Sequence, residues 1–276
     1  MKNRCEAPIG VFDSGVGGLT VVREIMRNLP NEEIVYFGDT ARVPYGSKSK
    51  ETVTRFSKQI VRFLETFQVK TIVVACNTAS ALALAIVIAC NTASAYALET
   101  IKKELDIPII GVVEPGARVA CETTVNDRIG VIGTEATVHS GIYTSFIRRQ
   151  KPDVQVVSKA CPLFVPLVEE GWLKDPITME VARRYLEELL QYDIDTLILG
   201  CTHYPLAKTF FRAALPGVKV VSQDELMAAK LENYLTRHPE IESLLTRGGT
   251  YRFEVSSLNR HAQKVAAIDK LLSTME

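Results

Sequence analysis

Three apolar runs in this chain end on a cysteine followed by small polar residues: TIVVACNTAS at 71–80, AIVIACNTAS at 85–94 and TLILGCTHYP at 196–205. A run of about five aliphatic residues suits a strand buried on both faces, and the polar group behind it suits the entry to a helix. Each cysteine then stands at the carboxyl end of a strand, where open α/β sheets hold their ligands. It also lies near a helix amino terminus, where backbone dipoles favour a thiolate. A lone cysteine there could be core filling, since cysteine is among the most often buried residues. Recurrence in separate segments argues for thiol chemistry.

Two of the runs are nearly one sequence. Residues 71–84 align with 85–98 without a gap and differ only at 71/85, 74/88 and 82/96, a tandem duplication of 14 residues. Two copies this short cannot stack as a solenoid, and some 14 residues are surplus to an ordinary fold.

Strand and helix signals alternate along the rest of the chain. APIGVFDSG (7–15) reads as a strand entering a Gly-rich turn, GLTVVREIMRNLP (18–30) as a helix ended by Pro30, and EEIVYFGDT (32–40) as the next strand. A loop and a helix from Glu51 to Phe67 lead to the duplicated region. Beyond it come IPIIGVVEPG (107–116), a helix through Ala120, DRIGVIGT (127–134), VQVVSKAC (154–161) and a helix near Thr178–Tyr192. DTLILGCTH (195–203), VKVVSQ (218–223) and a helix near Asp224–Arg237 follow. Strands separated by helices imply parallel sheets with right-handed crossovers. The turns DSG, GDT, YG, EPG, GTEA, GCTH and VSQD hold most of the polar non-helical residues, and function is expected there.

Lys+Arg and Asp+Glu are both 32, which gives no electrostatic case for nucleic acid or an acidic membrane. The first fifteen residues lack the apolar stretch of a secretory signal, and the apolar 71–98 window is broken twice by CNTAS, so a strand–helix unit suits it better than a membrane span. Six cysteines without close pairing suit reduced cytosolic thiols rather than a disulfide framework. A soluble cytoplasmic protein is expected. Neither a four-ligand metal spacing nor a Schiff-base lysine motif is present.

DSGVGG at 13–18 sits where a phosphate-cradling loop would, but it has neither GxGxxG spacing nor a Gly-Lys-Ser/Thr ending. Holding and polarising a small polar substrate is a better use of Asp13 and Ser14. The plainer reading makes Asp13 a helix N-cap.

Taken in order, DSGVGGLTV, GDTARVPYG, ACNTASA, GVVEPGA, CPLFVPLVEEG and GCTHYPL closely resemble the glutamate racemase family of the aspartate/glutamate racemase superfamily, from about Ile9 to Ala228. The resemblance implies an α/β fold of two similar domains, each a mainly parallel sheet flanked by helices, with the active site in the cleft between them. The expected division sets residues 1–114 with 225–276 against 115–224. It also implies interconversion of L- and D-glutamate without a cofactor, supplying D-glutamate for peptidoglycan. Glutamate is the expected small-molecule partner. No nucleic acid or membrane partner is expected, and a homodimer is left open.

The chemistry fits the residues. Inverting an α-carbon needs one group to remove a proton from one face and another to deliver one to the opposite face. A thiol, with an ordinary pKa of about 8.5, can be tuned to either task. By the resemblance, Cys201 is the base that starts from L-glutamate and the CNTA cysteine the base that starts from D-glutamate. Asp13 assists the latter, and His203 with Glu169 assists Cys201; the adjacent Glu170 leaves that choice open. Asp13, Ser14, the Tyr45–Gly46 turn, the Asn-Thr pair behind the CNTA cysteine (Asn77 and Thr78, or Asn91 and Thr92), Thr202 and His203 match the family's substrate-holding positions. Cys5, Cys121 and Cys161 have no such context and read as structural.

The duplication is the one departure from the family's pattern, because the chain offers both Cys76 and Cys90. If copy one fills the site, the surplus must be expelled from the following helix. If copy two fills it, AIVIAC runs uninterrupted into NTASAYALETIKKEL. Lengthening a connection costs little, about 0.6 kcal/mol per doubling. Cys90 is therefore expected in the site, with copy one as a helical or irregular segment before Ile86. Near-identity of the copies also permits a register exchange between them. Three other readings stay in view: a thiol redox or transferase enzyme using Cys201 with His203, a binding protein disabled by the duplication, and an aspartate racemase.

Overall fold

The computed structural model describes residues 8–67, 69, 71–74, 86–88, 109–111, 113–222, scattered positions from 224 to 237, and 250–255. Two parallel sheets organise them. The first contains β1 (Ile9–Asp13), β2 (Ile34–Gly38), β3 (Thr71–Val74), β4 (Ile86–Ile88), β5 (Ile109–Gly111) and β10 (Tyr251–Val255), in the order β10-β2-β1-β3-β4-β5. The second contains β6 (Arg128–Gly133), β7 (Gln155–Ala160), β8 (Thr196–Gly200) and β9 (Lys219–Val221), in the order β7-β6-β8-β9.

Chain direction creates a crevice in each sheet. From β1 the chain passes through α1 (Leu19–Asn28) to β2 on one side, then through α2 (Lys50–Glu65) to β3 on the other. After β5, α3 (Val113–Thr123) carries it towards the second sheet. From β6 it passes through α4 (Glu135–His139) and α5 (Ile142–Gln150) to β7, then through α6 (Phe164–Glu169) and α7 (Pro176–Leu190) to β8 on the opposite side. The order thus reverses between β1 and β3 and between β6 and β8, and ligands of open α/β sheets bind at such points.

Local chemistry explains the elements. β1, β2 and β8 are buried along their whole length, as their unbroken apolar runs require. In α2 the buried positions Val53, Ser57, Ile60 and Leu64 fall on one helical face. Its amino end is capped by Ser49, whose hydroxyl oxygen accepts the Thr52 N–H at 3.3 Å. One apolar cluster runs from Ile9, Val11 and Val22 through Val113 and Ala117 to Ile129 and Ile198, so both sheets share packed surface. A second packs Phe164 edge-on against Tyr204 and Phe211, with ring centroids 5.4 and 4.8 Å away, beside Cys201. None of the described helices is long and apolar enough to cross a membrane.

The duplicated region departs from expectation. Thr71–Val74 of copy one is a strand, not a helical or irregular segment, and it pairs with β1 from Ile9 opposite Thr71 to Phe12 opposite Val74. Copy two also supplies a strand. β3 and β4 pair with Ile72 opposite Ile86, Val73 opposite Val87 and Val74 opposite Ile88, each residue against its own counterpart. β5 then pairs with β4. The physical reason lies in TIVV and IVI: β-branched residues favour strands over helices, and a strand inside a sheet pairs its backbone on both sides, which an apolar loop could not do. Elsewhere the EPG segment begins a helix rather than forming a turn, since α3 starts at Val113. Cys76, Cys90, Asn77, Thr78, Asn91, Thr92 and the helix expected after copy two lie outside the described residues.

Candidate active site

The loop after β1 meets the turn after β8. Thr202 donates its hydroxyl to Asp13 Oδ1 at 3.2 Å, and the Gly15 N–H donates to Asp13 Oδ2 at 3.0 Å. Beside this junction lies a cleft of about 320 Å³, small by the standard of ligand sites. Ser14, Tyr45 and Gly46 line it from the first-sheet side; Thr134, Cys201, Thr202 and His203 line it from the second.

Cys201, 8% exposed, follows β8 directly and points its sulfur at His203 Nδ1, 3.9 Å away. The far nitrogen of that ring, Nε2, lies 2.8 Å from Glu169 Oε1. The same carboxylate oxygen accepts the Val16 N–H at 2.8 Å. Sulfur, imidazole and carboxylate thus form a continuous chain whose outer end is pinned by the other half of the molecule. Glu169 takes this place, whereas its neighbour Glu170 is exposed. α6 ends at Glu169, so the side chain projects from the last turn of that helix towards the cleft.

Burial and charge set the protonation of these groups. For His203, burial opposes the charged form, but hydrogen bonds to Cys201 and Glu169, with their negative charges, outweigh it and hold the imidazole well above its ordinary value. Asp13 is fully buried. Desolvation raises its carboxyl, against the lowering influence of His203 and of the Gly15 and Gly18 backbone groups. Asp13 is thereby drawn upward from the ordinary carboxylate range, while the protonated form of His203 is favoured beside Cys201 and Glu169.

The glycines of DSGVGG have a steric purpose. A Cβ on Gly15 would overlap Glu169 Oε1, and a Cβ on Gly17 would overlap the His203 ring. The backbone itself lies against the relay, which is why a glycine-rich loop here needs no phosphate to explain it.

The Tyr45–Ser47 turn brings Tyr45 and Gly46 to the cleft. Tyr45 donates its phenol to Asp39 Oδ2, and Asp39, wholly buried at the end of β2, is paired with Arg42 at 2.7 Å. Asp39 therefore orients the turn, a role no sequence reading assigned. Thr134 was also missed, although it heads the GTEA turn. It follows β6 as Ser14 follows β1 closely, and it caps α4 by accepting the Thr137 N–H at 3.2 Å. Its position after a strand end beside β8 was the available signal. Cys121 and Cys161 are buried in the apolar clusters, where desolvation raises both thiols. That suits the structural reading given to them, while Cys5 lies outside the described residues.

Residues 9–230 match the Asp/Glu/hydantoin racemase family. The chain is 47% identical over 251 residues, 91% of its length and 87% of the relative's, to a glutamate racemase of Geobacter metallireducens. Among solved structures, glutamate racemase isoform RacE1 of Bacillus anthracis superposes with a TM-score of 0.80 at 37% identity, over 94% of this chain and 92% of that one. The Francisella tularensis glutamate racemase in complex with D-glutamate superposes with a TM-score of 0.77 at 38% identity, covering 92% and 89%. With its two parallel sheets, its strand-end cysteine and its buried His–Glu pair, this chain belongs to the Asp/Glu/hydantoin racemase family.

Proposed function

We propose that this protein interconverts L- and D-glutamate by proton transfer at the α-carbon, using one thiol from each half of the molecule, and so supplies D-glutamate for peptidoglycan. The observation that carries the reading is the Cys201–His203–Glu169 chain opening onto a cleft shared by both sheets. Starting from L-glutamate, the Cys201 thiolate takes the α-proton. An S–H bond forms, the C–H bond breaks, and the electron pair stays on the α-carbon, delocalised into its carboxylate. The opposite thiol then gives its proton to the other face. Nothing is oxidised or reduced. His203 and Glu169 return the proton balance to Cys201, as Asp13 does on the other side. The Ser14 and Thr134 hydroxyls can hold the substrate carboxylates without a buried unmatched cation, while Thr202 donates its hydroxyl proton to Asp13.

For the second thiol the strand order supports Cys76. β3 lies beside β1 at the first sheet's reversal point, and Cys76 follows two residues after it; β4, which precedes Cys90, stands about 4.8 Å further out. The preference for Cys90 assumed that one copy would leave the sheet, and both copies enter it. We further assign residues 1–114 with 225–276 to one domain and 115–224 to the other, a division supported by β10 pairing with β2. The free thiols of Cys121, Cys161 and Cys201 support a reducing, cytoplasmic setting. The functional test is incubation with L-glutamate in deuterium oxide. Deuterium at the α-carbon and appearance of the D-enantiomer without added cofactor are expected; a protein that binds glutamate without exchanging that proton would refute the reading.

A further inference from the structure

One peptide unit links β2 to the proton relay. The Gly15–Val16 amide donates its N–H to Glu169 Oε1 at 2.8 Å, while its carbonyl accepts the Tyr36 hydroxyl at 2.6 Å. Tyr36 sits in the middle of β2, 1% exposed, with its ring against Phe253 of β10 at a centroid distance of 6.0 Å. It is not among the residues lining the cleft.

The loop needs such an anchor. Close approach of Glu169 and His203 leaves no room for a Cβ at Gly15 or Gly17, so the segment facing the relay is built from the residue with the greatest backbone freedom. Stiffness must come from outside it. The Asp13 carboxylate fixes the Gly15 N–H at 3.0 Å, one peptide earlier, and the Tyr36 hydroxyl fixes the carbonyl of the peptide that matters. Rotation of that plane would swing the Val16 N–H away from Glu169. Donation to the carbonyl also polarises the amide and strengthens its N–H as a donor.

We propose that Tyr36 is a positioning residue for the Cys201 relay, holding the Gly15–Val16 peptide so that its N–H fixes the Glu169 oxygen used by His203. This rests on the reading that the relay serves glutamate racemisation. Tyr36→Phe keeps the ring and removes the hydroxyl. It should lower kcat about three- to tenfold, the size of one hydrogen bond's net contribution, with KM for glutamate essentially unchanged. In a Glu169→Gln background, where the acceptor is already altered, the same substitution should cost little further. Equal losses in both backgrounds, or a loss confined to KM, would overturn the proposal.

A second readout is independent of turnover. With valine labelled by nitrogen-15, the Val16 amide proton should move upfield in Tyr36→Phe as its hydrogen bond to the carboxylate weakens. An unmoved Val16 signal would overturn the proposal even in a fully active enzyme. A moved signal would uphold the coupling even if the protein proved not to racemise glutamate.

Discussion

The two sheets present the same local arrangement with different surroundings. In the second sheet β6 is flanked by β7 and β8, and Cys201 follows β8. In the first, β1 is flanked by β2 and β3, but beyond β3 stands β4, a strand of almost the same sequence, before β5 is reached. Strands of almost the same sequence can thus hold different places relative to the reversal of strand order: β3 borders it and β4 does not. A duplicated strand inserted beyond β3 leaves the β1/β3 crevice intact. It displaces β5 instead, where no residue of the described relay resides.

The comparison breaks most sharply at the second sheet. Cys201→Ala should reduce racemisation by at least about 10²–10⁴-fold, the usual range for a general acid–base group, and both directions should suffer because each turnover uses both thiols. Polarimetric assays from each enantiomer measure this, and substantial activity in both directions would remove the two-thiol symmetry. Gly17→Ala comes next, because its Cβ must displace the His203 ring. A kcat loss of about tenfold or more, with a stability loss of about 1–3 kcal/mol in urea unfolding, is expected from overpacking.

A smaller effect concerns pH. His203 is held well above its ordinary value in the folded protein. The stabilisation it contributes is fully present below the unfolded value of about 6.5 and is lost as pH rises through the raised folded value. The stability advantage of the parent protein over His203→Gln should therefore be larger near about pH 6 than near about pH 9. An advantage that grew with pH would mean the imidazole is neutral in the fold. Smallest of all should be the result of deleting residues 71–84 or 85–98. Either deletion leaves nearly the same sequence, the one strand that remains pairs with both β1 and β5, and turnover stays unchanged because the crevice is kept. Loss of activity in both deletions would show that β4 is part of the working enzyme.

Much of this was legible in the sequence where the signal is local. The unbroken runs IGVFD and TLILG announce buried parallel strands, and the polar residues at or just behind their carboxyl ends, Asp13, Ser14, Cys201, Thr202 and His203, meet because the carboxyl ends of β1 and β8, one from each sheet, face the same cleft. The fate of the duplicated copy was not legible. A β-branched run declares itself a strand but not its neighbours, and a sheet can accept a further strand of almost the same sequence. Tyr36 and Asp39 were missed for a related reason. Each sits in or beside an ordinary apolar strand, and its value comes from a hydroxyl or carboxylate that reaches a loop distant in sequence. Glu169 could not be separated from Glu170 until the end of α6 fixed which carboxylate faces His203.

The central claim, that the crevice between β1 and β3 selects the first-sheet thiol, is tested most directly by single substitutions at the two duplicated cysteines. Cys76→Ala and Cys90→Ala are each incubated with L-glutamate in deuterium oxide, and α-deuteration is followed together with the formation of D-glutamate. The account predicts that Cys76→Ala abolishes racemisation and Cys90→Ala leaves it at the parent rate. An inactive Cys90→Ala beside a working Cys76→Ala would contradict it.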